Sequence, residues 1–233
     1  MLNHKSVTDR MQSLVQQWET ASDRRAIFLD CYTLMTRNML KAIETGEFND
    51  PKWVNALLQR FAEYYFEALD AYEQNATQAP AVWRITHNAA REPSTMVLQN
   101  LLLGINAHIN YDLVLTLTEM LEPEWVELTE AGREIRYFDH CHVNDIIGQT
   151  VDAVQDNVVE HWRPSMDILD KLLGPLDEWM TSQLIRFWRE EVWKHAMLFL
   201  QTSRSNREGL RRQIESETIQ RAEIILLKDQ DNN

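Results

Sequence analysis

The chain predicts an all-α fold, a single-domain bundle of about seven helices packed around one buried central helix. Apolar residues recur at helical spacing almost throughout, and only six glycines and six prolines interrupt 233 residues, so the connections are short. No convincing alternation of apolar and polar residues marks a strand. The third observation is the stretch from about 94 to 121, STMVLQNLLLGINAHINYDLVLTLTEML, which carries no formal charge before Asp112. A helix that is apolar nearly all round has to be enclosed on every side, so the other elements are expected to wrap it.

Ser6 with Asp9 reads as the cap of a first helix that presents Val7, Met11, Leu14, Val15 and Trp18. A second is expected from about Asp23 to Thr45, burying Ile27, Cys31, Leu34, Met35 and Asn38 and ending at Gly46. Asp50-Pro51 starts a third, with an aspartate cap and proline in the first turn, and its stripe is Val54, Leu57, Leu58, Phe61, Tyr65, Ala68 and Tyr72. Glu63, Glu67 and Asp70 fall on its solvent side. A loop and a short helix then place His87 near the start of the central helix.

Beyond Glu122-Pro123 a long helix is expected from about Ile135 to Trp162, with a core stripe of Val143, Ile147, Val151, Val154 and Val158. Extending that stripe brings in His140 and His161, with Asp139 on its edge, while Asp145, Asp152 and Asp156 face water. A short helix lies between Pro164 and Gly174. The next, from Pro175 to about Thr202, buries Thr181, Leu184, Trp188, Val192 and Phe199, with His195 in the stripe and Glu191 beside it. A last helix runs from Asn206 to about Leu227, and residues 228–233 read as a disordered tail. No composition shift or repeat divides residues 1–233.

The balance of 23 Lys and Arg against 36 Asp and Glu, a net charge of −13, argues against non-specific binding to nucleic acid or to anionic membranes. The central stretch is long enough to span a bilayer, but Gln99, Asn100, Asn106, His108 and Asn110 would be costly in lipid. Cys31 and Cys141 match no metal or redox spacing and read as buried small hydrophobes. With a polar start, MLNHKSVTDRMQ, these features make a cytoplasmic protein the expectation.

Two polar pairs interrupt the central helix, His108 with Asp112 and Asn106 with Asn110, each four residues apart and so on one face. A buried polar group without a partner costs on the order of 1–3 kcal/mol, so all four need something to bind. Helical phase directs further polar groups inward: Glu191 with His195, His140 with Asp139, and His161 and His87. Imidazole nitrogens and carboxylate oxygens on facing helices can converge on one ion, and Zn, Mn or Fe suits such ligands. The expected metal set is therefore His108, Asp112, His140, Glu191, His195 and His87, with Asp139 as general base. Gly104, one turn before His108, leaves space for a ligand or a close helix contact. The plainer alternative is a structural network in which His108 bonds Asp112 and the asparagines tie neighbouring backbones together.

The segment GINAHINYDL, residues 104–113, resembles the signature of an uncharacterised bacterial all-helical family, and FDHCHVNDII, from Phe138 to Ile147, resembles its second block. That resemblance spans the middle third of the chain and implies no activity. The spacing G-x-x-x-H-x-x-x-D at Gly104, His108 and Asp112 is similar to the zinc-dependent phospholipase C and single-strand nuclease families. It implies zinc on His108 and Asp112, with His87 upstream and His140 or His142 downstream. The chain departs from those families: it begins MLNHK where they use an N-terminal tryptophan, and Ile146 stands four positions after His142 where they place a second carboxylate.

Three functions follow as expectations. The first is a metal-dependent hydrolase of phosphoesters or esters. The second is a haem-oxygenase-like or di-iron oxidative enzyme, suggested by E-x-x-x-H at Glu191 to His195. The third is a non-catalytic protein that binds a small-molecule ligand or a partner around a structural His/Asp/Asn network.

Overall fold

The computed structural model describes residues 4–154, 162 and 174–227. Among them the fold is all-α: α1 (His4–Thr20), α2 (Ala26–Glu44), α3 (Pro51–Gln74), α4 (Ala81–Arg91), α5 (Val97–Ala107), α6 (Leu113–Leu121), α7 (Glu130–Val154), α8 (Gly174–Gln201) and α9 (Arg207–Leu226). A π-helical turn, His108–Asp112, joins α5 to α6, so the central element is one continuous rod. His161, Val158, the short helix expected after Pro164 and the tail 228–233 lie outside the described residues. So do the side chains of Val151, Val154 and Thr181.

The rod is enclosed as its composition requires: α2, α3, α4, α8 and α9 all pack against it. Leu103, Val114, Leu117 and Leu121 are wholly buried along it. Its polar residues are spent on cross-braces. The Gln99 amide donates to the Ile225 carbonyl at 2.9 Å and the Asn106 amide to the Thr218 carbonyl at 2.9 Å, which clips α9 along the rod. Asn110 donates to Asn106 at 2.9 Å and completes that brace.

Local signals set several boundaries. Asp50 accepts from the Trp53 amide at 3.0 Å with Pro51 behind it, a capped helix start. Gly46 takes a φ of +76°, the left-handed conformation that ends α2. The stripe expected on α3 is buried at Val54, Leu57, Leu58, Tyr65, Ala68 and Tyr72, with Phe61 half-buried.

Other elements differ in phase. Ser6 lies inside α1 rather than capping it. The buried face of α2 is Ile27, Phe28, Leu29, Tyr32, Thr36 and Met39, and Cys31, Leu34, Met35 and Asn38 are only half-buried. This helix touches α1, α3, α5 and α7, so its apolar stripe is read from several sides and the two aromatics turn to the rod. Among the described side chains of α8 the buried ones are Ile185, Trp188, Arg189, Val192, Trp193, Ala196 and Phe199, whereas Leu184 is exposed, because α8 packs against both α6 and α7.

At Gly104 the Phe28 ring lies directly over the backbone of the rod. A Cβ at Gly104 would overlap the Cβ, Cγ and Cδ2 atoms of Phe28, none of which is a flexible chain end. Gly104→Ala is therefore expected to cost about 1–3 kcal/mol. Combining it with Phe28→Leu should recover part of the loss. Urea unfolding of the two variants measures both, and an unchanged midpoint for Gly104→Ala would show that Phe28 moves aside freely.

Candidate functional site

The rod, α2, α3 and α4 meet around His108. Its ring stacks on Phe61, with centroids 3.6 Å apart and planes 6° from parallel, and meets the edge of Tyr32 at 4.3 Å. Phe28, Tyr65 and Trp83 close the box at centroid distances of 5.8, 6.1 and 6.1 Å. His108 Nδ1 lies 3.0 Å from Asp112 Oδ2. The Trp83 indole N–H also donates to the Asp112 carboxyl, 2.9 Å from Oδ2 and 3.1 Å from Oδ1. His108 and Asp112 are almost wholly buried, at 3% and 1% exposure. The other ring nitrogen, Nε2 of His108, and the Tyr32 hydroxyl have no hydrogen-bond partner among the described residues.

Burial opposes charge on both members of this pair. It pushes the Asp112 carboxyl well above the usual carboxylate range and the His108 imidazole well below its ordinary value. The arrangement that leaves both uncharged puts a proton on Asp112 Oδ2, which donates to His108 Nδ1, and leaves the ring proton on Nε2. Asp112 Oδ1 then accepts from Trp83.

Trp83 links this box to a second polar feature. Its ring stacks on His87, with centroids 5.3 Å apart and planes 24° from parallel, and Tyr72 covers His87 at 4.8 Å. Beside them a cleft is lined by residues that include Arg24, Arg25, Tyr65, Trp83, His87 and Asn100, and the space in it open to a water-sized group is about 10 Å³, that of a single water. Nε2 of His87 and Oδ1 of Asn100 are buried there with no partner among the described residues. Burial lowers the His87 imidazole to about 3, and nearby Arg25 and Arg91 push in the same direction, so it is neutral near pH 7.

The remaining expected site residues lie elsewhere. His140 Nε2–H donates to the Arg189 carbonyl at 3.0 Å, and Arg189 Nη2 donates to the His140 carbonyl at 2.7 Å and faces its Nδ1 at 3.3 Å. This joins α7 to α8 with both ring nitrogens occupied. Asp139 accepts from the Asn49 amide at 2.8 Å, the Asn49 side chain at 2.9 Å and the Asp50 amide at 2.8 Å, clamping the start of α3 to α7. Glu191 pairs with Lys194 at 2.9 Å, and His195 turns to Glu217 on α9 at 3.8 Å. The structure thus brings His108, Asp112 and, through Trp83, His87 together, and leaves His140, Asp139, Glu191 and His195 apart from them. Among the described residues no three His, Cys, Asp or Glu side chains are grouped so as to hold a metal ion.

Sequence reasoning missed Trp83, Asn100, Arg24 and the Phe61 stack as partners of the site. Trp83 stands four residues before His87, the same one-face spacing that marked His108 with Asp112, so that signal was present. Asn100 gave none, being one polar residue among the several of the central stretch.

Two outcomes are expected from this electrostatic arrangement. If Asp112 is uncharged, Asp112→Asn keeps a donor toward His108 and an acceptor toward Trp83, and its stability should stay within about 1 kcal/mol of the parent; Asp112→Ala should lose about 2–4 kcal/mol. Equal losses in the two variants, measured by urea unfolding, would mean an ionised carboxylate. The second outcome concerns pH. His87, His108 and His140 stay neutral in the fold and take up protons only on unfolding below about 6.5, whereas Asp112 holds a proton in the fold that the unfolded chain releases above about 3.8. The unfolded state therefore binds about two more protons in that window, and stability should fall as pH falls, by about 2–3 kcal/mol per unit between about pH 6 and 4.5. A flat profile there would refute the neutral imidazoles.

No curated protein and no solved structure matches the chain. A model of a family of unknown function (DUF5995) matches residues 4–228, in keeping with the resemblance to an uncharacterised helical family, and the chain belongs to that family.

Proposed function

We propose that the protein binds a small molecule, and that its recognition site is the cleft between Arg24, Tyr65, Trp83, His87 and Asn100. The observation that carries this reading is the pair of buried, unpartnered polar atoms, His87 Nε2 and Asn100 Oδ1, on two residues that line one small opening. Each such atom left bare costs on the order of 1–3 kcal/mol, and an outside group that reaches both would remove that cost. Trp83, Phe28 and Tyr65 supply apolar wall around them, the usual combination of a mostly apolar site with a few placed polar groups.

Metal-dependent hydrolysis receives less support. Its expected ligands fall in separate places: His108 and Asp112 in the aromatic box, His140 between α7 and α8, Glu191 beside Lys194 on α8 and His195 facing Glu217 on α9. What favours a chemical role is narrower. His108 sits on a π-helical turn, a feature frequent at functional sites, with one nitrogen on a carboxyl and the other bare. Phe61 stacked on its ring leaves a substrate no approach from that face.

Ligand-observed NMR with a panel of small alcohols, amides and carboxylates checks the binding reading. At least one class should bind the parent protein and lose affinity in both Asn100→Leu and His87→Phe. The opposite result is equally readable. A panel without a binder, together with variants more stable than the parent, would make the two bare atoms a simple cost of the fold.

A further inference from the structure

The two arginines of the cleft differ in what already holds them. Arg25 donates to Asp23 from both Nε and Nη2 and pairs through Nη1 with Glu73, so its charge is answered within the protein. Arg24 uses Nη1 alone, on the backbone carbonyls of Glu92 at 3.2 Å and Pro93 at 3.4 Å. Among the described residues it has no carboxylate partner, and its Nε and Nη2, the edge that grips a carboxylate with two parallel hydrogen bonds, are unused. Arg91 adds positive charge close by, resting over the Tyr72 ring at 5.0 Å. Asp23 and Glu73 also stand close by, so what distinguishes Arg24 is its unused edge and not an excess of local charge.

His87 and Asn100 select differently. The cleft as a whole takes one water-sized group. Asn100 already spends its amide on the Met96 carbonyl at 3.1 Å, so its oxygen is a fixed acceptor that needs a donor. A carboxylate oxygen placed there would face that oxygen lone pair to lone pair, and an ammonium would sit beside Arg25 and Arg91. A hydroxyl meets both requirements. It donates to Asn100 Oδ1 and accepts from a neutral His87 carrying its proton on Nε2.

Resting on the binding reading above, we propose that the cleft recognises a short hydroxy carboxylate, its hydroxyl filling the water-sized space between His87 Nε2 and Asn100 Oδ1 and its carboxylate held by Arg24. Neither polar end alone gives the full affinity, so the hydroxyl and the charge should each be needed.

Titration calorimetry with glycolate, 3-hydroxypropanoate and 4-hydroxybutanoate tests this, each compared with the carboxylate lacking the hydroxyl and with the neutral hydroxy amide. One hydroxy acid should bind at least about tenfold more tightly than both of its comparison compounds. Arg24→Gln should abolish its advantage over the amide and keep its advantage over the plain carboxylate. Asn100→Leu should do the reverse, and because each variant is read as a ratio of two ligands, a general loss of stability does not mimic either result. If amides and plain carboxylates bind as well as the hydroxy acids, or Arg24→Gln leaves the ratios unchanged, the ligand class is wrong while the binding site stands. If none of the three families binds, this proposal fails, and the binding reading fails with it only if the wider panel of alcohols, amides and carboxylates also yields no binder and the variants are more stable than the parent.

Discussion

The requirement that every polar group on an enclosed helix find a partner shapes most of this fold. The rod from Val97 to Leu121 is surrounded by five helices, and water cannot serve its buried polar side chains, Glu119 alone of its charged residues being exposed. Gln99, Asn106 and Asn110 meet the requirement by bonding one another and the backbone of α9. Asp112 meets it through Trp83 and His108. Each solution fixes the position of another element, so the same bonds that satisfy the rod also set where α4 and α9 lie. The unsolved cases, Nε2 of His108 and Oδ1 of Asn100, stand out against this otherwise complete pairing.

The fold class was legible in the chain because its signals are additive. Helical spacing, the Asp50-Pro51 start and the Gly46 stop each act locally, and a central stretch without charge leaves no other place for itself than the middle. Phase was less legible. Leu184 and Cys31 lie on stripes that a lone helix would bury, but α2 and α8 each touch more than one neighbour, and the burial of a residue then depends on which neighbour is where. The site was half legible for the same reason. The i,i+4 spacing of His108 with Asp112 fixed their contact, whereas the expected union with Glu191 and His195 needed the rotation of α8, which turns His195 toward Glu217.

Trp83 is the hinge of the site's chemistry. One edge of its indole holds the Asp112 carboxyl inside the sealed box, and its face carries His87 at the rim of the cleft. The box and the cleft share Phe28 and Tyr65 as well. The cleft and the buried His–Asp pair therefore share walls, although the pair itself has no open route to solvent through its stacked face.

The π-helical turn carries one further consequence. A backbone bond from Leu113 N–H to the His108 carbonyl spans five residues where an α-helix spans four, so the rod holds one residue more than a regular helix would at that point. Since each residue of an α-helix advances by about 100°, the extra one turns all of α6 relative to α5 by roughly a quarter of a circle. The two halves of one rod thereby present differently oriented faces, α5 to α4 and α9, α6 to α3 and α8. Loss of a single residue between His108 and Asp112 would straighten the rod and misalign Val114, Leu117 and Leu121 with every helix they now pack against. The length of this segment, and not only its composition, is part of what the chain encodes.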